Sequence, residues 1–189
     1  MIEAELKARV RDPEDVMSRL EGHGPGRAEV YQDTYFDDAS GTLMREDREL
    51  RVRTVHGADG TRSVLTYKGA RLDASGSKPE HETAVDDPDS MRAVLLGLGY
   101  VVAISFEKRC RNYVFDASGR RMLATLVRVK ELDETFVEVE TLVGHEAELS
   151  GALDDVRTVL ADLGIAEHDL TSELYTDAVQ ARRVGRATR

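Results

Sequence analysis

The chain predicts an α+β fold in which about eight antiparallel strands form a barrel or deep trough with helices packed on its outside. Three observations lead there. Charged residues recur two apart inside strand-like segments, three helix-start signals divide the strands into groups, and turn sequences such as DASG and GADG join neighbouring strands as hairpins. Side chains alternate faces along a strand, so residues two apart share a side. Strands with one charged and one apolar face cannot turn the charged face into an apolar core. If helices cover the apolar side, the charged side must line the interior.

The elements follow in order. IEAELKARV places Glu3, Glu5 and Lys7 on one strand face. Asp12 and Pro13 supply an N-cap and an N1 proline for a helix that stops at glycine. Strands then carry Tyr31 to Asp37, the pair Arg51 and Arg53 in LRVR, and Lys68 at the end of SVLTYK. A flexible loop precedes EHETAV, which holds Glu80 and Glu82, and Asp87 with Pro88 opens a second helix ending at glycine. FEKRCRNYVF carries Lys108, Arg109 and Arg111, the next strand carries Arg128 and Lys130, and FVEVET carries Glu138 and Glu140. A third helix, roughly His145 to Leu163, has a stripe at Leu149, Leu153, Val156, Val159, Leu160 and Leu163 and ends at Gly164. From about Ala178 the chain is basic with few apolar partners, so a helix end followed by a frayed tail is expected, with residues 179–189 taken as a flexible basic tail.

Six glutamates in same-face pairs (3 and 5, 80 and 82, 138 and 140) repel one another unless a divalent cation or nearby Lys and Arg offsets their charge. Any single pair also suits the wet face of an ordinary sheet. Basic residues at the same period shift the weighing: a metal and a polyanion bound side by side describe a metal-chelated phosphate ester.

Composition narrows the class. At 189 residues, 33% charged and 41% apolar, the chain has room for a proper core in one large domain or two fused halves. A net charge of −10 argues against a nucleic-acid surface. The single cysteine, Cys110, excludes an intramolecular disulfide and a Cys-rich zinc site, and is expected to be a small buried side chain. Without a membrane-length apolar run or a signal-like start, a cytoplasmic protein is expected. Tyr31, Tyr35 and Tyr113 are expected to pack on the barrel's outside or rims. An internal echo, DPEDVMSRLEGHG with DPDSMRAVLLGLG and TYFDDASGTL with NYVFDASGRRM, fits two related halves of about 1–85 and 86–178 within a domain of 1–178.

EAELK resembles the ExExK signature of the CYTH family, the triphosphate tunnel metalloenzymes. YQDTYFD, ELRVR, LTYKG, EHE, EKRCRNYVF, FVEVE and DLTSELYTDAV follow in the family's order, so the resemblance spans Glu3 to Tyr175. It implies an eight-stranded antiparallel tunnel with Mg²⁺ or Mn²⁺ held by Glu3, Glu5, Glu138 and Glu140. Lys7, Arg51, Arg53 and Lys68 match its phosphate-binding positions, and Lys108, Arg109, Arg111 and Arg128 are further basic candidates. Lys7, Glu80 and Glu82 are the catalytic candidates, the two glutamates assisting or positioning water, and Asp33 would orient an inward basic residue. The chain departs from the family's Lys-x-Arg pattern at Lys108, Arg109, Cys110, and has Arg128 and Lys130 near an expected acidic residue.

Three functions remain in view. Metal-dependent hydrolysis of inorganic triphosphate, a nucleoside triphosphate or thiamine triphosphate ranks first. Class IV adenylate cyclase activity, giving cyclic AMP and pyrophosphate from ATP, shares the triphosphate grip but needs an adenine pocket, for which Lys78 and His81 are the nearest candidates. A non-catalytic nucleotide- or polyphosphate-binding module would explain Cys110 and Arg128. The expected partner is a small triphosphate, with no nucleic acid and no membrane, and a homodimer is allowed.

Overall fold

Alternating polar and apolar residues produce eight strands: β1 Ile2–Val10, β2 Arg27–Asp37, β3 Glu49–Gly57, β4 Gly60–Lys68, β5 Lys78–Ala84, β6 Val101–Ala117, β7 Arg120–Val129 and β8 Thr135–Val143. In the computed structural model, which describes residues 1–72 and 76–187, they close into an antiparallel barrel in the order β1-β5-β4-β3-β2-β6-β7-β8. Part of the loop expected before Glu80, positions 73–75, lies outside the described residues.

Five helices pack around the barrel: α1 Pro13–Glu21, α2 Thr42–Arg45, α3 Pro88–Gly97, α4 Leu149–Asp162 and α5 Tyr175–Ala187. The Asp-Pro signals work as expected. Asp12 accepts the Asp15 N–H at 3.1 Å, and Asp87 accepts those of Asp89 and Ser90 at 3.1 and 3.0 Å. The third helix starts at Leu149, the first residue of its stripe, and not at His145 as expected, because a 3₁₀ turn occupies Glu146–Glu148. The α4 stripe then buries Leu149, Leu153, Val156 and Leu160 against Ala4, Leu6 and Ala8 of β1 and Val137 and Val139 of β8. Each such side chain contributes about 1.5–3 kcal/mol by leaving water. A second cluster sets Leu95 of α3 against Phe36, Leu43, Leu50 and Val52.

The helix end expected from about Ala178 runs past the tail boundary placed at residue 179. The helix α5 continues to Ala187 because Val179 is fully buried beside Tyr35, Phe106 and Phe136, while Arg182 pairs with Asp133 and Arg183 donates to Glu131 and the Ser105 carbonyl, both at 2.7 Å.

The barrel seam is uneven. The first strand pairs with β8 along its whole length, but with β5 only at Ile2–Pro79 and Glu3–Lys78. Pro79 brings no N–H to that ladder. Further along β1, Leu170 bridges to Ala8 and the Thr171 N–H donates to the Lys7 carbonyl at 2.8 Å, so the segment leading into α5 covers the edge that β5 leaves.

Candidate metal and polyanion site

The inward faces enclose a cavity of about 390 Å³. Period two decides which side chains reach it. Glu3, Glu5 and Lys7 enter from β1, Arg51 and Arg53 from β3, Lys68 from β4, Glu80 and Glu82 from β5, and Glu138 and Glu140 from β8. Lys108 enters from β6. Four of the chain's five lysines (7, 68, 78 and 108) line this space, leaving Lys130 exposed outside.

Carboxylates gather on the β1–β8 wall, where one oxygen from each of Glu3, Glu5 and Glu140 lies within 4.8 Å of the others. Burial pushes Glu5 up to about 8, with Glu138 and Glu3 adding to it, and Glu140 rises well above the usual range through burial and through Glu3 and Glu5. Burial also works to raise Glu3, but its contacts with Lys68 outweigh that and hold it low. Three hard oxygen donors, two of them with proton affinity raised by burial and by their carboxylate neighbours, suit a divalent cation such as Mg²⁺ or Mn²⁺. Glu138 stands apart from this trio: burial acts to raise it, yet Lys108 and Lys7 bring it below the ordinary value.

Cations occupy the facing wall and are held by their own counter-charges. Asp33, whose side chain is inaccessible to solvent, takes Nε and Nη2 of Arg53 at 2.6 and 2.7 Å and lies 3.9 Å from Arg51 and 3.8 Å from Lys108. The Asp33 carboxyl, although buried, is held well below the carboxylate range by Arg53 and Arg51. Arg51 reaches Tyr35 at 3.5 Å and Thr66 at 3.4 Å; the Thr66 hydroxyl donates to Glu82 at 3.0 Å. Lys68 bridges Glu3 and Glu80, the latter at 3.0 Å.

Some lining residues escaped sequence reasoning. Lys78 contacts Glu49 at 2.7 Å and Asp47 at 3.1 Å, and Arg71 contacts Asp47 at 2.5 Å. Glu49 and Lys78 lie two residues before Arg51 and Glu80 and so extend those same-face pairs, whereas Asp47 and Arg71 lie in loops, where no strand period applies. Lys78 had been singled out only for adenine. Tyr175 was legible only as the family's terminal tyrosine; its ring lies 4.3 Å from the Lys7 ammonium and 4.1 Å from that of Lys108.

Five expectations need correction. Arg109, Arg111 and Arg128 do not line the cavity, because once Lys108 points inward its odd-numbered neighbours on β6 point out. Arg109 lies 3.8 Å from Glu107, Arg111 lies 2.9 Å from Glu21 of α1, and Arg128 is exposed opposite Arg109. Tyr31 and Tyr35 line the cavity instead of the outside, Tyr31 beneath Arg53 with 4.4 Å between ring centre and guanidinium carbon. Tyr113 does pack outside, in the α4 cluster. Cys110 also lines the cavity, buried as expected, and burial pushes its thiol up to about 12.

The barrel is a closed antiparallel tunnel with a carboxylate trio on one wall and guanidinium and ammonium groups on another. The chain belongs to the CYTH domain family, whose model matches residues 1–175. CYTH proteins are in general metal-dependent, and the trio is an acidic cluster of that kind. No curated protein sequence matches the chain. Among solved structures it is similar to the PH1819 protein of Pyrococcus horikoshii OT3, at 23% identity over 96% of this chain and 99% of that one with a TM-score of 0.82. PH1012 of the same organism is 25% identical over 93% and 98%, with a TM-score of 0.73. The Hippeastrum protein HpAC1, described as an adenylyl cyclase candidate with a dominant triphosphatase activity, is 18% identical over 96% of each chain with a TM-score of 0.65. Among the described residues no helix is long and apolar enough to cross a membrane.

Proposed function

We propose that the chain is a divalent-metal-dependent triphosphatase that releases the terminal phosphate of a compact triphosphate. One observation carries this reading: the Glu3, Glu5, Glu140 trio shares an enclosed cavity with Arg51, Arg53, Lys68 and Lys108. Phosphoryl transfer asks the protein mainly to position reactants and offset charge spread over phosphate oxygens. Arg53 engages Asp33 through its Nε and Nη2 edge, which turns its Nη1 side toward a ligand, and a planar guanidinium can bind two phosphate oxygens at once. Lys68 and Lys108 act as point charges. Glu80 holds Lys68, and Glu82, exposed and steadied by Thr66, is the carboxylate placed to orient an incoming water. Held by Glu3, Glu5 and Glu140, Mg²⁺ or Mn²⁺ would supply Lewis-acid charge to the phosphate oxygens.

The aromatic residues favour hydrolysis over cyclisation. A nucleobase stacks on an open ring face, yet Tyr31 carries Arg53, Tyr35 stacks on Phe106 at 5.6 Å with Arg51 at 5.8 Å, and Tyr175 carries Lys7 and Lys108. That leaves the triphosphate as the recognised part of a substrate. The dominant triphosphatase activity described for HpAC1 agrees with this choice.

The test incubates the protein with inorganic triphosphate, ATP and thiamine triphosphate in Mg²⁺, Mn²⁺ or EDTA and measures orthophosphate and cyclic AMP. Metal-dependent orthophosphate release from inorganic triphosphate supports the proposal. Cyclic AMP with pyrophosphate from ATP replaces it with the cyclase, and binding by calorimetry without any product replaces it with a binding module.

A further inference from the structure

Tyr175 connects two parts of the cavity that no strand connects. Lys7 lies on β1 and Lys108 on β6, on different walls of the barrel, yet their ammonium groups lie 4.3 and 4.1 Å from the centre of this one ring. Among the described residues, Lys7 has no carboxylate within ion-pair distance, and the carboxylate near Lys108 is Asp33 at 3.8 Å. A ring face attracts a cation through its quadrupole, and the attraction grows where water is excluded. Tyr175 is only 7% exposed.

The ring is itself fixed. Phe136 meets it edge-on, with centroids 5.3 Å apart and planes at 88°. The backbone leading to it is tied to the strand that carries Lys7: Leu170 bridges to Ala8, the Thr171 N–H donates to the Lys7 carbonyl, and Lys7 donates back to the Glu173 carbonyl. Arg9 adds an ion pair to Glu173 at 2.7 Å. Placement of Tyr175 and placement of Lys7 are therefore one geometric problem. The hydroxyl lies beside Glu138 without completing a hydrogen bond to it, so the ring, not the hydroxyl, makes the defined contacts.

We infer that Tyr175 is a positioning residue whose ring holds the Lys7 and Lys108 ammonium groups for joint contact with a polyanion. The consequence for substrate rests on the proposed triphosphatase function; the positioning of the lysines does not. It follows that the C-terminal segment completes the site from outside the strand pattern.

The experiment has two arms. In the first, ¹³C-lysine labelling of the full chain gives signals from five lysines, assigned with Lys→Arg variants. In the wild type the Cε–H signals of Lys7 and Lys108 are expected upfield of that of exposed Lys130 through the ring current. The shift persists in Tyr175→Phe; in Tyr175→Leu it disappears for Lys7 and falls for Lys108, which also lies 5.9 Å from the Phe106 ring centre. Unshifted signals in the wild type, or loss of the shift in the Phe variant, overturn the inference, and neither outcome depends on the Leu variant folding.

The second arm measures KM and kcat for inorganic triphosphate. Tyr175→Leu is expected to raise KM about tenfold, with a smaller effect on kcat, and Tyr175→Phe to restore most of the affinity. A folded Leu variant with the wild-type KM and unchanged lysine signals overturns the inference. Shifted lysines in a wild type that does not turn over triphosphate would sink the functional proposal and leave the lysine positioning standing.

Discussion

Asp33 and Arg53 are register partners on β2 and β3, and they meet edge to edge with both guanidinium contacts at 2.6–2.7 Å. A carboxylate with no solvent access thus organises the cationic wall. Its folded pKa is depressed, so its contribution to stability is present above the unfolded value, about 3.9, and is lost as pH falls through the folded one. Asp33→Asn should cost about 3–5 kcal/mol at neutral pH, because Arg53 is left buried and unpaired. It should also flatten the acid side of the stability curve, measured by thermal melts from neutral pH down to pH about 3.

Glu5 has the opposite sign. Its folded pKa, pushed up to about 8, exceeds the unfolded value near 4.5, so the folded state binds the extra proton and loses stability as pH rises between the two. In EDTA the wild type should melt lower at pH 8 than at pH 5, and Glu5→Gln should reduce that slope. The same variant keeps the side chain's shape while removing its charge. Metal-dependent turnover should disappear, and unchanged activity would count against the carboxylate trio.

Strand parity makes a sharper test on β6. Lys108→Ala should raise the KM for triphosphate by about tenfold or more, the value of a charge-assisted contact. Arg109→Ala and Arg128→Ala remove the same kind of charge on the outward side and should leave KM within about twofold, since exposed pairs are worth less than about 1 kcal/mol. Equal losses for all three would mean that general electrostatic attraction, not the tunnel wall, governs binding.

Leu160 is 2% exposed within the α4 cluster. Leu160→Ala should cost about 2–5 kcal/mol. Denaturant unfolding should show a lower midpoint with an unchanged slope.

The barrel was legible because charge and apolarity alternate cleanly in β1, β3 and β8: Glu3, Glu5 and Lys7 point in while Ala4, Leu6 and Ala8 meet α4. Alternation predicts which residues share a face, but not which of two charged faces turns inward. On β6, Lys108 and Arg109 are both basic, and the choice between them is made by Phe106 and Cys110, whose burial fixes the even positions inside. Glu49 and Lys78 share the faces of Arg51 and Glu80, two residues on, so the strand period reaches them too; Arg71 was hidden because a loop charge has no period. Tyr175 was hidden because its partners, Lys7 and Lys108, lie far away in sequence.

The partition of lysine from arginine has a practical side. Reagents that acylate primary amines spare guanidinium, so on this chain they meet Lys130 in the open and the remaining lysines on the tunnel wall. Shielding of those sites by a bound anion would leave a footprint against which Lys130 is the built-in control, and the molecule carries that reporter without any engineered label.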